Sequence, residues 1–307
     1  MAKNLKSQSD ASNNEYFRPS VAVDGVVLTI ANSMEEAQDA YMDQGAPESP
    51  RVIFGKELKV LLIKRGAVNE DGTKRPYFGY WALPGGFLRS SENAESALKR
   101  ELLEEAMIYL NQKKISPHQI GFYSDPKRDE YNFDSKNPSF HKQIMSVAYA
   151  AILNEDVIPF SGSDAVEAEY FFVKDILNKK IEKKRLAFDH NLILDDAIKY
   201  ISEKMKFTPI ALDFLGEEFT IGEIRSVYEA IWSVNEDLDN IDLSNFHKKV
   251  LNQTDQDGNN VILPSPKSKI KKKQHGKGAP AKLYVRNEKS REFSLVMSPT
   301  KKRITKR

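Results

Sequence analysis

Residues 81–108 read WALPGGFLRSSENAESALKRELLEEAMI. Glu101, Glu104 and Glu105 fall at i, i+3 and i+4, so a helix through them stands all three on one face. Carboxylates crowded in this way repel one another unless a hard cation sits among them, and oxygen ligands suit magnesium or manganese. Such an ion binds a diphosphate, polarises phosphorus and activates water. Leu98, Leu102 and Ala106 form the opposite, apolar stripe that holds the helix against a sheet. Glu92 complements the dipole at the helix start, and Arg100, two turns on, is placed to tie it down. Gly85 and Gly86 supply a tight loop that brings backbone close to a metal or phosphate. A solvated acidic helix face is the bland alternative, and the glycines just upstream argue against it.

The bulk properties are those of a globular chain. Of 307 residues, 40% are hydrophobic and 29% charged, and no apolar run has membrane-spanning length. The length favours two domains. The absence of cysteine excludes disulfides and thiolate metal sites. The first 14 residues are polar and read as disordered, without the marks of a signal peptide, and a cytoplasmic location is the simplest fit. The net charge of +2 conceals an asymmetry. Residues 244–307 hold 13 Lys and 4 Arg against 2 Asp and 2 Glu, a net of +13, which leaves the rest of the chain at −11. A basic C-terminal region on an acidic body points to a polyanion partner.

Strand signals come at VAVDGVVLTI (21–30), LKVLLIK (58–64), SVAYAAIL (146–153) and EYFFV (169–173). Strands alternating with the acidic helix imply a layered α/β domain, placed at 15–205. Asp189 is the expected N-cap of a helix running to about 205, with Ile193, Ala197, Ile198 and Ile201 on one side. A second domain is placed at 206–290, with a basic tail over 291–307. Thr220 and Glu223 form a capping box, and the helix they open carries Ile221, Ile224, Tyr228, Ile231 and Trp232 at core spacing. A short second helix is expected from Asp242 or Ser244, with Phe246, Val250 and Leu251 inward. Asn245, His247, Lys248 and Lys249 then face outward. Residues 252–285 read as a β-hairpin wing whose long loop, PKSKIKKKQHGKG, carries Lys271, Lys272, Lys273 and Lys277. Two helices plus a basic hairpin fit a winged helix-turn-helix.

The 81–108 stretch resembles the Nudix box of hydrolases that cleave nucleoside diphosphates linked to another moiety. The box usually has glycine where this chain has Met107. Both halves together resemble the Nudix-related transcriptional regulators of NAD metabolism (NrtR-type), over roughly 16–286. The marks are Arg18-Pro19, VLLIKRG (60–66), WALPGGF (81–87), Asp125 to Asp129, SVAY (146–149) and LAFDH (186–190) at the domain junction. In the second domain they are FTIGEIRSVYEAI, NFHKKVL as recognition helix and GAPAKLY (278–284) as wing. The wing departs from the family's Gly-Arg-Pro-Ala: Ala279 stands for an arginine whose planar contact lysines cannot reproduce. An insertion at about 130–141 also interrupts a segment that lies near ligand in the family.

The resemblance implies an α/β Nudix fold, a mixed sheet sandwiched by helices, followed by a winged helix-turn-helix. It implies a DNA-binding regulator, a repressor, that senses ADP-ribose or a related NAD-derived nucleotide. Double-stranded DNA would be met by Asn245 and His247 at base edges or backbone. Lys248, Lys249, Lys271, Lys272, Lys273 and Lys277 would meet phosphates. A homodimer on a palindrome is expected. Arg18, Arg65 and Arg128 would grip the ligand together with Gly85 and Gly86. Because many relatives lose catalytic glutamates and this chain keeps all three, a magnesium- or manganese-dependent ADP-ribose pyrophosphatase is the main alternative. Glu101, Glu104, Glu105 and Gly86 would then hold the ion. A regulator answering to a sugar or sugar phosphate is the third.

Overall fold

Alternation along the first strand decides which helix covers which side of the sheet. The computed structural model describes residues 19–30, 57–68, 72, 74–110, 116–129, 143–154, 165–177, 186–234, 241–242, 245–266, 282–290, 292–293, 297 and 300–301. Strand β1 (Ser20–Ile30) sends Val26, Leu28 and Ile30 into one core and Val23 and Val27 into the other. Period-two alternation with both faces apolar is what a strand buried on both sides requires. Strands β2 (Leu58–Arg65), β3 (Trp81–Ala82) and β4 (Gly85–Phe87) follow, and then helix α1 (Ala94–Ala106). Strands β5 (His118–Tyr123), β6 (Ile144–Ile152) and β7 (Ala165–Phe172) complete the sheet.

The sheet runs β3-β2-β1-β6-β5, with β4 paired to β1 and β7 to β2. Strands β1 and β6 are parallel, from Ser20 opposite Ile144 to Leu28 opposite Ile152, and the other pairings are antiparallel. The sheet is therefore mixed, as expected. Helix α1 closes one face through Leu98, Leu102 and Ala106, all buried. After the short helix α2 (Val173–Leu177), helix α3 (His190–Phe207) closes the other through Ile193, Leu194, Ala197 and Ile198.

Met107 does not disturb the end of α1. It takes the left-handed conformation, φ 56° and ψ 31°, and its N–H bonds to the carbonyls of Leu102 and Leu103. Glycine adopts that conformation without penalty and methionine does not. Met107→Gly is therefore expected to stabilise the fold by about 1 kcal/mol, read as a rise in Tm. Unchanged Tm would mean that the side chain, 45% exposed, recovers the cost elsewhere.

Helix α3 belongs to both domains. Its last turns, with Ile201 and Met205, share one core with the C-terminal helices. A 3₁₀ turn (Pro209–Phe214) leads into α4 (Ile221–Trp232), where the capping box forms in full: the Thr220 side chain accepts from Glu223 N–H and the Glu223 carboxylate from Thr220 N–H. The Tyr228 hydroxyl donates to the Met205 carbonyl at 3.1 Å and the Trp232 indole to Ser202 at 3.4 Å, fixing α4 on α3. Short strand β8 (Ile241–Asp242) precedes helix α5 (Phe246–Leu251), which starts later than the sequence suggests because Asp242 is drawn into that strand. Leu251, expected inward, is 38% exposed: a helix of six residues has room for only Phe246 and Val250 on its buried side. The wing pairs β9 (Ile262–Pro264) with β10 (Tyr284–Arg286).

The basic tail is partly drawn back into the fold. Strand β11 (Thr300–Lys301) pairs with β8, Met297 is buried, and the N–H groups of Phe293 and Met297 donate to the carbonyls of Phe207 and Lys206. Apolar residues at 293 and 297 give that segment something to bury, which its charge count conceals. Among the described residues no helix is long and apolar enough to cross a membrane.

Candidate ligand site and DNA-binding face

Helix α1 and the turn before it build an acidic site held together by arginine. Asn93 caps the helix, accepting from Ser96 N–H at 2.8 Å. Arg100 grips Glu92 with Nη2 at 2.6 Å and Nε at 3.1 Å, and donates to the Phe87 carbonyl. Its Nη1 lies 2.6 Å from Glu101 Oε1 and 3.0 Å from Glu104 Oε2. The bonds from Arg100, joined by Arg89 N–H, hold the Glu92 carboxyl down to about 2. Glu101 behaves oppositely: burial pushes its carboxyl up, and Arg100 counters only part of that.

The three glutamates share one face as the spacing requires. Glu101 and Glu105 are buried, while Glu104 is more open and lies 3.3 Å from Arg89. Glu105 Oε2 accepts the Gly85 N–H at 2.8 Å, so the helix face and the glycine loop are joined directly. A β-carbon on Gly86 would stand 2.6 Å from Glu101 Cδ, and one on Gly85 would press on the β1 backbone. Gly85 is thus required by close approach to backbone, and Gly86 leaves the Glu101 carboxylate its place. Gly86→Ala is expected to displace Glu101 and weaken divalent-ion affinity about 10- to 100-fold while the fold persists, measurable by calorimetric titration of Mn²⁺. Unaltered affinity would take Glu101 out of the ion's ligand set.

Guanidinium groups neutralise this cluster, and among the described residues no three carboxylates already enclose a common point. The donor set still fits a hard divalent ion. It is all oxygen, it is backed by Gly85 and Gly86, and Glu101 keeps an oxygen that Arg100 does not contact, while Glu104 is shared between Arg100 and Arg89.

Behind the glycine loop lies a buried polar group that the sequence reading missed. Asp24, opposite Gly85 in the β1–β4 ladder, accepts from Ser146 Oγ at 2.6 Å and from Arg128 Nη2 at 3.1 Å. His190 Nε2 lies 3.4 Å from its other oxygen. Because Leu83 N–H donates to His190 Nδ1 at 2.8 Å, that nitrogen carries no proton and the ring hydrogen sits on Nε2. Burial would raise the Asp24 carboxyl, but His190, Arg128 and Ser146 outweigh it and hold it well below the ordinary carboxylate range. The signal for Asp24 was the single charge inside VAVDGVVLTI.

Of the arginines expected at the ligand, Arg65 is half-buried, donates to the Pro76 carbonyl at 3.0 Å and lies 4.8 Å over the Phe188 ring. Burial and the neighbouring Arg75 charge both disfavour its charged form, and Glu105 lies close enough to oppose them. Arg128 is buried between Asp24 and Asp189. It stands behind the loop, with Nε and Nη2 engaged by carboxylates. Arg18 lies outside the described residues, as does the 130–141 insertion.

On the C-terminal domain, Asn245, His247, Lys248 and Lys249 are all exposed on α5, opposite the buried Phe246 and Val250. Asn245 begins the helix with φ 63° and makes no cap bond with its side chain. Lys271, Lys272, Lys273, Lys277 and Ala279 lie outside the described residues.

A family model for the NUDIX domain matches residues 51–192, and one for the NrtR DNA-binding winged helix domain matches residues 211–255. The chain is 30% identical over 188 residues to the ADP-ribose pyrophosphatase of Methanocaldococcus jannaschii, which spans 60% of this chain and 76% of that protein. It is 26% identical over 232 residues to the ADPR responsive transcriptional repressor NtrR of Acinetobacter baylyi, 74% of this chain and 75% of the relative. Among solved structures, a MutT/nudix family protein from Enterococcus faecalis aligns at 26% identity with a TM-score of 0.57, covering 89% of this chain and 88% of that one. Shewanella oneidensis NrtR, crystallised with a 27mer DNA, shares the fold with a TM-score of 0.58 at 21% identity, over 91% of this chain and 99% of its own.

Proposed function

The chain belongs to the Nudix family and carries an NrtR-type winged helix domain, and from that premise we propose that it is a DNA-binding transcriptional repressor responsive to ADP-ribose. The observation that carries the reading is the sharing of α3. Its first half packs on the sheet behind the glutamate site, and its second half forms the floor of the winged helix. A ligand that changes the site therefore acts on the element that seats α4 and α5. The likeness to the Acinetobacter repressor over three-quarters of both chains supports the choice of signal.

DNA is met by α5. Lys248 and Lys249 neutralise phosphates, Asn245 and His247 lie at the groove, and Lys271, Lys272, Lys273 and Lys277 add charge from the wing loop. The protein acts as a homodimer, since helix-turn-helix domains read paired half-sites. Arg65, the glycine loop and Arg18 hold the nucleotide. Glu101, Glu104 and Glu105 would hold magnesium or manganese, which would supply charge neutralisation at the diphosphate. Titrating a fluorescent duplex, selected by the protein from a randomised pool, tests the reading. Binding should weaken steeply with salt and weaken again with ADP-ribose. Affinity indifferent to ADP-ribose would overturn it.

A second reading rests on the intact acidic face. With all three glutamates present and Gly86 against Glu101, the site would also hydrolyse ADP-ribose to AMP and ribose 5-phosphate, a reading supported by the likeness to the Methanocaldococcus ADP-ribose pyrophosphatase. The two readings are compatible, with hydrolysis clearing the signal.

A further inference from the structure

Asp189 occupies the N-cap position of α3, yet its carboxylate makes no cap bond. An aspartate there ordinarily accepts from the first-turn N–H groups. Here both of its oxygens are held by Arg128, by Nε at 2.9 Å and Nη2 at 2.7 Å. The helix gives up its cap to hold that guanidinium. The same Nη2 reaches Asp24 at 3.1 Å, on the oxygen that also receives the Ser146 hydroxyl. Asp24 stands opposite Gly85, and Gly85 N–H is bonded to Glu105. The route from the acidic site to the first turn of α3 thus runs through the Glu105–Gly85 bond, the facing of Gly85 and Asp24 across the β1–β4 ladder, and the Asp24–Arg128–Asp189 contacts.

A second connection runs beside it. The Leu83 N–H, at the other end of the glycine loop, donates to His190, the first residue of α3. Two residues earlier, Phe188 has φ 55° and packs its ring 4.5 Å from that of Tyr77, which has φ 56°. Two non-glycine residues in the left-handed region persist only where their surroundings fix them. The loop of the site and the start of α3 are therefore held in one defined relation.

We propose that the Asp24–Arg128–Asp189 bridge transmits ligand occupancy from the glutamate site to the winged helix. One guanidinium is shared by two carboxylates on different elements, β1 and the entry to α3. A shift of loop 83–86 that moves Asp24 changes how Arg128 divides between them and so repositions α3. Arg128 and Asp189 are positioning residues in this scheme, acting through the loop and the helix. The inference rests on the ADP-ribose-responsive reading above.

The test measures DNA affinity of the full-length protein with and without saturating ADP-ribose, beside ADP-ribose affinity by calorimetry. In the wild type, ADP-ribose should weaken DNA binding at least about fivefold. Asp189→Asn should leave the two separate affinities within about threefold while cutting the ADP-ribose effect below about twofold. Asp189→Glu, which restores a carboxylate to Arg128, should recover the effect. Ser146→Ala removes only the hydroxyl bond to Asp24 and should change the effect at least about twofold, which covers the case of a misfolded Asp189→Asn protein. A full ADP-ribose effect in both Asp189→Asn and Ser146→Ala overturns the bridge, as does joint loss of DNA and ADP-ribose affinity in a folded Asp189→Asn protein. A wild type that binds DNA but ignores ADP-ribose overturns the functional reading itself, and that outcome shows in the wild-type arm alone.

Discussion

Lys249→Glu, alone or with Lys248→Glu, should sharply weaken specific DNA binding and leave ADP-ribose binding as it was. Both lysines are exposed on α5, on the side away from Phe246 and Val250, so their replacement disturbs no core. Each lysine that neutralises a phosphate releases a counterion, and reversal of its charge also adds repulsion from the backbone. The expected loss is roughly 100-fold in DNA affinity, with the slope of log K against log salt shallower by about one per lysine. The salt slope is the diagnostic readout. Weakened binding with an unchanged slope would place these lysines outside the phosphate contacts, and simultaneous loss of ADP-ribose binding would contradict the division of labour between the domains.

The second large effect concerns the acidic face. If the site turns over ADP-ribose, Glu104→Gln should lower kcat by roughly 1,000-fold, because a neutral amide cannot replace a charged ligand of the ion. Glu104 suits the test better than its neighbours: Glu105 also fixes the glycine loop through Gly85, and Glu101 is buried against Gly86. Glu104 contacts Arg100, which keeps Glu92 and Glu101, and the exposed Arg89, so the substitution spares the fold. Release of AMP from ADP-ribose with Mn²⁺ is the assay. Wild-type turnover in the variant would remove Glu104 from the ion's ligands. A wild type without turnover would make the site a sensor alone, and ADP-ribose affinity in the variant would then report how far the ion assists binding.

Features governed by neighbours in the chain were legible in the sequence. The Thr220–Glu223 capping box, the glutamate spacing and the apolar stripe of α1 all depend on residues within two turns of each other, and all appear as read. Strands β1, β2, β6 and β7 were legible for the same reason, whereas β3, β4 and β5, short or without a run of β-branched residues, were not read. What the sequence hid depends on contacts between distant segments. The parallel pairing of β1 with β6 places Ser146 beside Asp24, and no local pattern announces it. Arg128 was expected at the ligand through the family resemblance, and the structure buries it instead. Two aspartates, 104 and 61 residues away, make its burial tolerable. Asp189 was correctly placed at the start of α3, but its expected capping role is supplanted by the ion pair with Arg128. Met107 shows the opposite case: a departure from pattern that threatened the helix end is absorbed by one residue adopting a costly backbone conformation.

The central claim is that one molecule joins nucleotide sensing to DNA binding, and thermodynamic linkage gives it a direct test. ADP-ribose should be titrated calorimetrically into the free protein and into the protein saturated with its selected duplex, at one salt concentration. If ADP-ribose weakens DNA binding by a given factor, DNA must weaken ADP-ribose binding by the same factor. The expected result is an ADP-ribose Kd at least about fivefold higher in the DNA complex, matching the factor from the DNA titration. Equal ADP-ribose affinity in the free and DNA-bound protein would contradict the account.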